Sequence, residues 1–258
     1  MFKRGPYEIT EIGDKTYLIN EKASTMFVLC GKERALVIDC GTGIGDFRSV
    51  VEELTAGLPY DLVITHAHVD HIGGRGQFGD MYITEADSRF ISEVTPFQRK
   101  GYLMINSLMM GTNGSYKIFP SDNEPKIHII SEGDIFDLGG RHIKVMFTPG
   151  HTVGSASFLD IENKTIYIGD VANEFLLMML PHSAKIDVMN DTIRRLMLTE
   201  GYNTVWASHH TEPFDRARLA DFLSGGRSIA EKKNTFLPLV GLKNRRGDII
   251  IYRTNNIH

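Results

Sequence analysis

The sequence has little of several things, and each shortage argues against a class of protein. Only two cysteines, Cys30 and Cys40, occur in 258 residues, so a disulfide-stapled scaffold is excluded and both are expected to be buried thiols. No apolar run approaches the roughly 20 residues that cross a membrane. Residues 1–6 carry two basic side chains with no apolar stretch behind them, which is unlike a signal peptide. We therefore expect a cytoplasmic protein without a membrane partner.

The charge balance argues against nucleic acid as a partner. The formal net charge is −4 and the sequence pI is about 6.2, so the basic surface that a general nucleic-acid binder needs is missing. The content of 42% hydrophobic and 23% charged residues is ordinary for a globular protein, and 258 residues can bury a sizeable core. With no repeat and no low-complexity linker in view, we predict one domain over residues 1–258.

What the sequence does have is a dense group of metal-binding side chains. His66, His68, Asp70 and His71 follow the apolar run 62–64 directly. Imidazole nitrogens and carboxylate oxygens are the ligands that zinc and similar divalent cations take. In an extended segment the side chains of His66 and His68, two residues apart, point to the same side and can bind one ion. The side chains of the adjacent Asp70 and His71 point in different directions, which suits a second ion. The motif predicts two metal ions, with further ligands downstream.

Three later strand-like runs also end in ligand-capable residues. His151 follows 143–147, Asp170 follows 166–168, and the pair His209 and His210 follows 204–206. A lone histidine at a strand end is more often a structural residue than a ligand. Four strand ends with the same arrangement favour a single metal centre held by rigid elements.

Hydrophobic patterning and turn residues predict a mixed α/β (α+β) chain. The first four strands are expected to form an antiparallel meander, and the last is expected at a sheet edge. The predicted strands are 8–12, 16–19, 26–30, 35–39, 62–64, 81–84, 126–130, 143–147, 155–160, 165–168, 204–207 and 248–252, and the predicted helices are 41–56, 187–198 and 213–224.

Together these motifs resemble the metallo-β-lactamase-fold hydrolase superfamily. The matching segments, in family order, are VIDCGTG (37–43), THAHVDHIGG (65–74), TPGHT (148–152), IGD (168–170) and ASHH (207–210). The resemblance implies a four-layer αββα sandwich with ligands along one edge where the sheets meet. It also implies that one metal is held by His66, His68 and His151, a second by Asp70, His71 and the last histidine, and that Asp170 bridges them.

Two further residue roles follow from the resemblance. Asp39 would lie next to the centre and orient a ligand. In the family a small residue precedes the final histidine; Ser208 fills that position, which favours His209 as the ligand, with His210 as the alternative.

The expected chemistry is metal-dependent hydrolysis of a small molecule. Two divalent ions, zinc in the first place and iron or manganese as alternatives, would generate a bridging hydroxide at neutral pH and polarise the bond to be cleaved. Asp70 or Asp170 could hand a proton to the leaving group. We expect an ester, lactone or thioester substrate. A phosphodiesterase and a non-catalytic metal- and ligand-binding sensor stay open as alternatives, as does the oligomeric state, with a homodimer as one option.

Two apolar stretches suggest where a substrate would bind. One is residues 85–120, and the other follows Asp170 and includes Phe175, Met178 and Met179. Apolar stripes are usually core, and a helix packed on the core is one interpretation. The other is that Phe175, Met178 and Met179 line an adaptable pocket for a lipophilic acyl group.

Overall fold

The computed structural model describes residues 1–109, 118–119, 123–230, 239–243 and 248–253. Part of the apolar stretch 85–120 therefore lies outside the described residues. The chain divides into two compact units, Met1–Ile143 and Lys144–His258. The count of one domain stays a prediction. No helix among the described residues is long and apolar enough to cross a membrane.

The first unit is built on an eight-stranded sheet whose strands follow chain order. They are β1 (Phe2–Arg4), β2 (Tyr7–Gly13), β3 (Thr16–Asn20), β4 (Thr25–Cys30), β5 (Ala35–Ile38), β6 (Tyr60–Val63), β7 (Asp80–Thr84) and β8 (Lys126–Ile130), and a short strand β9 (Ile135–Asp137) follows. Strands β1 to β5 pair antiparallel, which confirms the predicted meander, and β5 to β8 pair parallel. Every residue of β4 and β5 is buried, as expected for central strands.

Parallel neighbours need crossover connections, and helices supply them in the first unit. They are α1 (Phe47–Thr55), α2 (Val69–Ile72), α3 (Glu85–Ser88) and α4 (Pro96–Met109). Helix α1 begins later than the predicted residue 41, because Gly41, Gly43 and Gly45 all have positive φ, which a right-handed helix cannot contain. Asp46 instead caps α1 by accepting a hydrogen bond from the Ser49 backbone N–H.

The second unit contains a sheet with the strand order β15-β14-β12-β11-β10 and a three-stranded sheet with the order β13-β17-β16. The strands are β10 (His142–Phe147), in which the boundary between units falls, β11 (Ala156–Asp160), β12 (Thr165–Tyr167), β13 (Phe175–Met178), β14 (Thr204–Trp206), β15 (Phe214–Asp215), β16 (Leu239–Lys243) and β17 (Ile249–Arg253). Helices α5 (Ile186–Leu198) and α6 (Leu219–Ala230) contribute to a core of its own.

The structure of the second unit differs from the expectations in three places. The helix predicted over 213–224 begins only at Leu219, because Phe214 and Asp215 pair antiparallel with β14 and Asp215 caps the short turn that follows. Strand β17 is the central strand of its sheet, pairing parallel with β13 and antiparallel with β16. The segment 175–178 is also a strand rather than a helix.

Candidate metal centre

The first ligand-capable cluster lies in the first unit, where β5 and β6 end side by side. It consists of His66, His68, Asp70 and His71. The ring of His66 lies 4.6 Å from that of His68 and 3.9 Å from that of His71, measured between centroids. Nε2 of His71 is 3.7 Å from Oδ2 of Asp70. Because β5 and β6 are parallel, their carboxyl ends meet at one edge of the sheet, and the loop after β6 holds all four side chains there.

Asp39 fixes the ring of His71. Its Oδ2 lies 2.8 Å from Nδ1 of His71, and both side chains are buried. A carboxylate only accepts hydrogen bonds, so Nδ1 carries the hydrogen and the lone pair of the neutral ring sits on Nε2. Asp39 has a φ of 63°, a left-handed conformation that aspartate tolerates better than most residues. This contact agrees with the orienting role expected for Asp39.

Thr65 extends the same network to His66. Its backbone N–H and its hydroxyl both donate to Asp39, at 2.8 Å each. Since the hydroxyl has a single hydrogen, its oxygen accepts from Nδ1 of His66 at 3.1 Å. The lone pair of His66 is thereby assigned to Nε2, so the buried pair Asp39 and Thr65 sets the same tautomer in two histidines of the first cluster.

The second cluster lies in the second unit and consists of His151, Asp170 and His209. Strands β12 and β14 are parallel, and the loops that follow them stay together because the Ser208 N–H donates to the Gly169 carbonyl at 2.9 Å. This brings Nε2 of His209 within 3.3 Å of Oδ2 of Asp170. His209 has a φ of 67°, a left-handed conformation that histidine adopts more often than most non-glycine residues.

His151 approaches Asp170 from the loop after β10. Its Nδ1 lies 2.8 Å from the carbonyl oxygen of Leu177, which can only accept, so Nδ1 donates and the lone pair is on Nε2. Nε2 is 3.6 Å from Oδ2 of Asp170. One carboxylate oxygen therefore faces two imidazole nitrogens, those of His151 and His209.

His210 occupies a different environment from His209. Its half-buried ring lies 5.9 Å from that of Phe214, between centroids, and burial lowers the pKa of His210. The 3.3 Å approach to Asp170 belongs to His209. The identity of the last ligand stays a prediction, with the arrangement in the second unit favouring His209.

The three residues expected to line a substrate pocket have different surroundings. Met178 has no exposed surface and belongs to the hydrophobic core of the second unit, which was the alternative left open by the sequence. Phe175 is 52% exposed, and Met179 is half-buried. A substrate-binding role stays a prediction for Phe175 and Met179, whereas the burial of Met178 favours a core role.

Two residues that hold the first cluster come from the stretch 85–120, which the sequence suggested only as a packed helix or as the lining of an apolar pocket. The carboxylate of Asp87, at the end of the short helix α3, accepts from the Ala67 N–H at 2.8 Å. The hydroxyl of Tyr102 in α4 donates to Oδ2 of Asp70 at 2.7 Å. Neither residue lies near the motif in the chain, so no spacing pattern could have indicated these contacts.

Comparison with known proteins agrees with this description. A family model described as the metallo-beta-lactamase superfamily matches residues 19–211. The chain is 27% identical over 257 residues to the acyl-coenzyme A thioesterase MBLAC2 of Homo sapiens, covering 89% of this chain and 91% of that protein. It is 25% identical over 202 residues to the hydroxyacylglutathione hydrolase GloC of Haemophilus influenzae, covering 71% of this chain and 88% of that protein.

A solved structure shows the same fold. The metallo-beta-lactamase family protein TTHA1429 from Thermus thermophilus matches with a TM-score of 0.55 and 19% identity, covering 89% of this chain and 82% of that one. The predicted fold class is confirmed, and so is the prediction of a hydrolase, since relatives over most of the chain are hydrolases. This chain belongs to the metallo-beta-lactamase superfamily and is one of its hydrolases.

Proposed function

We propose that this chain is a dinuclear metal-dependent thioesterase. The observation that carries the proposal is the position of Asp170, whose Oδ2 lies 3.6 Å from Nε2 of His151 and 3.3 Å from Nε2 of His209. Ligand atoms about 2.1 Å from a tetrahedral zinc ion are separated by about 3.4 Å. A carboxylate oxygen at that distance from two imidazoles suits a bridge between two ions.

The donor chemistry of both clusters fits divalent metal. We propose that His66, His68 and His151 hold one ion, that Asp70, His71 and His209 hold the other, and that Asp170 bridges them. His66, His71 and His151 are buried with the lone pair assigned to Nε2. Imidazoles with carboxylates beside them are ligands that zinc prefers, with iron and manganese as alternatives. When bound, such ions make a water nucleophilic at neutral pH and polarise a carbonyl oxygen.

The protein's own residues then have defined tasks. Asp39 and Thr65 keep the imidazoles of His66 and His71 in the tautomer that presents Nε2. Asp70 or Asp170 would accept the proton that the attacking water loses and pass it to the leaving group, which in a thioester is the sulfur. We also propose that the whole chain, residues 1–258, acts as one catalytic domain.

The choice of thioester over lactone or ester rests on the relatives. Two proteins that align over most of this chain are named as an acyl-coenzyme A thioesterase and a hydroxyacylglutathione hydrolase. Thioester hydrolysis is the reaction that these two activities share. A thiol carrier with an acyl group is therefore the substrate class we propose, and the exposed ring of Phe175 is a candidate contact for the acyl part.

A substrate panel on the purified, metal-assayed protein tests the proposal. The panel contains an acyl-coenzyme A, a glutathione thioester, a homoserine lactone, nitrocefin and bis-p-nitrophenyl phosphate. We expect at least one thioester to be cleaved with a kcat/KM at least about tenfold above the other classes. A preference for the lactone or for the phosphodiester would overturn the thioester assignment. Absence of turnover on every compound, with metal bound, would favour a non-catalytic sensor.

A further inference from the structure

We infer that Tyr102 of α4 is a positioning residue for the second metal site. Its phenol hydroxyl fixes the carboxylate of Asp70 in the orientation that metal binding needs. The inference rests on the metal centre proposed above, and it assigns a role to a residue outside the histidine motif.

The contact between Tyr102 and Asp70 is short and directional. The hydroxyl lies 2.7 Å from Oδ2 of Asp70 and 3.5 Å from the carbonyl oxygen of Ala23. A phenol has one hydrogen to donate, and the shorter contact to a charged acceptor takes it. The hydroxyl of Tyr102 is thus directed at the carboxylate.

The oxygen that Tyr102 holds is also the one that faces the neighbouring ligand. Oδ2 of Asp70 lies 3.7 Å from Nε2 of His71, close to the separation of about 3.4 Å between two ligand atoms on one zinc ion. A hydrogen bond to this atom therefore limits the rotation of the carboxylate that would move Oδ2 away from His71.

The main chain of Asp70 is held separately. The hydroxyl of Ser24, in the loop between β3 and β4, donates to the Asp70 carbonyl at 2.7 Å, and Ser24 is buried. Because Asp70 itself is only 7% exposed, bulk water can do little to orient its side chain. Ser24 holds the backbone of Asp70, and Tyr102 holds its carboxylate.

Helix α4 is anchored so that Tyr102 stays in place. One turn earlier, the guanidinium of Arg99 donates to the carbonyl oxygens of Thr42 and Gly43, at 3.1 and 3.3 Å. Those carbonyls lie in the loop after β5, which also carries Asp39. Helix α4 thereby places Tyr102 against Asp70, the proposed metal ligand. We therefore expect the identity of residue 102 to affect how tightly the second ion is bound.

Tyr102→Phe tests the inference because it removes the hydroxyl and keeps the ring. Zinc affinity is measured by chelator competition on wild type, Tyr102→Phe and Asp70→Ala, the last of which identifies the binding constant that belongs to the second site. We expect Tyr102→Phe to weaken that constant by about 10- to 100-fold and to leave the other one unchanged. In the presence of chelator, the melting temperature of Tyr102→Phe should change by no more than that of the control variant Tyr17→Phe. Excess zinc should restore the turnover of Tyr102→Phe.

Tyr17→Phe is the matched control, since it removes a phenol hydroxyl from β3 in the same unit. An unchanged second-site constant in Tyr102→Phe would overturn the inference and leave the proposed centre intact. Weakening of both constants together with a lower melting temperature of the chelated protein would also overturn it, because Tyr102 would then act on the fold as a whole. Fewer than two zinc ions in wild type would refute the proposed metal centre itself.

Discussion

Oδ2 of Asp39 lies 2.8 Å from Nδ1 of His71, and the two side chains are buried together at the end of the central strands of the first unit. The carboxylate decides which nitrogen of the ring carries the hydrogen, and so which nitrogen can bind a metal ion. A residue 32 positions away in the chain, outside the histidine motif, thus controls the chemistry of a proposed ligand.

Asp39→Asn should weaken zinc binding at the second site by about 10- to 100-fold. The new amide oxygen can still accept from the Thr65 N–H, which leaves the amide nitrogen facing His71 as a donor. Two donors cannot pair, so the ring is driven to the other tautomer, with the hydrogen on Nε2. Chelator competition measures the effect. Asp61→Asn, which changes a carboxylate on β6 that pairs with Arg34, is the control, and equal affinities in the two variants would contradict the prediction.

Asp170→Asn should lower both zinc affinity and turnover. The amide keeps the shape of the side chain but removes the negative charge that offsets two neighbouring dications. We expect a loss of kcat of at least about 10²-fold, comparable to the removal of other groups that stabilise developing charge. Elemental analysis should find close to two ions per chain in wild type and fewer in the variant. A variant that keeps both ions and near-normal turnover would show that Asp170 is not a ligand.

The two adjacent histidines should behave differently. His209→Ala should lose one of the two ions and the activity, because Nε2 of His209 faces Asp170 at 3.3 Å. His210→Ala should keep both ions and change the kinetics only modestly, since its ring packs beside Phe214. Metal content of the two purified variants decides the assignment, and the opposite pattern would make His210 the ligand.

The sequence could indicate which loops carry the candidate ligands because that signal is local. Ligand-capable residues follow short apolar strands, and the parallel pairing of β12 with β14 explains why Asp170 and His209 come together. The contacts of Asp87 and Tyr102 were not predictable in the same way. Both side chains reach the first cluster from helices, and neither has a fixed spacing from the motif.

Two errors in the predicted elements have physical causes that the sequence partly displayed. Residues 249–251 are three consecutive isoleucines, a run typical of a strand with neighbours on both sides, and β17 is central in its sheet. The positive φ of Gly41, Gly43 and Gly45 delays the start of α1. Three glycines at alternate positions were a signal against a helix there.

Glu21 should make the stability of the metal-free protein depend on pH. Burial raises the pKa of this carboxyl from 4.5 to about 7, although it accepts a hydrogen bond from the Thr42 N–H at 2.6 Å. Because its pKa is higher in the folded state than in the unfolded state, the stability it contributes is fully present below pH 4.5 and is lost as the pH rises through 7. Urea unfolding in chelator should therefore show a larger fall in stability from pH 5 to pH 8 in wild type than in Glu21→Gln. Equal falls would mean that Glu21 does not titrate in this range.

Two residues of the apolar strand β13 distinguish a core role from a substrate role. Met178→Ala should lower the free energy of unfolding by about 2–5 kcal/mol, as expected for a fully buried methionine, and should leave the preference for acyl-chain length unchanged. Phe175→Ala, at a position 52% exposed, should change stability by no more than about 0.5 kcal/mol.

If Phe175 contacts the acyl chain, each methylene buried against it contributes up to about 0.8 kcal/mol, or roughly fourfold in kcat/KM. Phe175→Ala should then flatten the rise of kcat/KM with acyl-chain length. Urea unfolding beside kinetics on thioesters of increasing chain length measures both effects. A trend that is flattened by Met178→Ala, and not by Phe175→Ala, would place the acyl chain against the buried side of the strand instead.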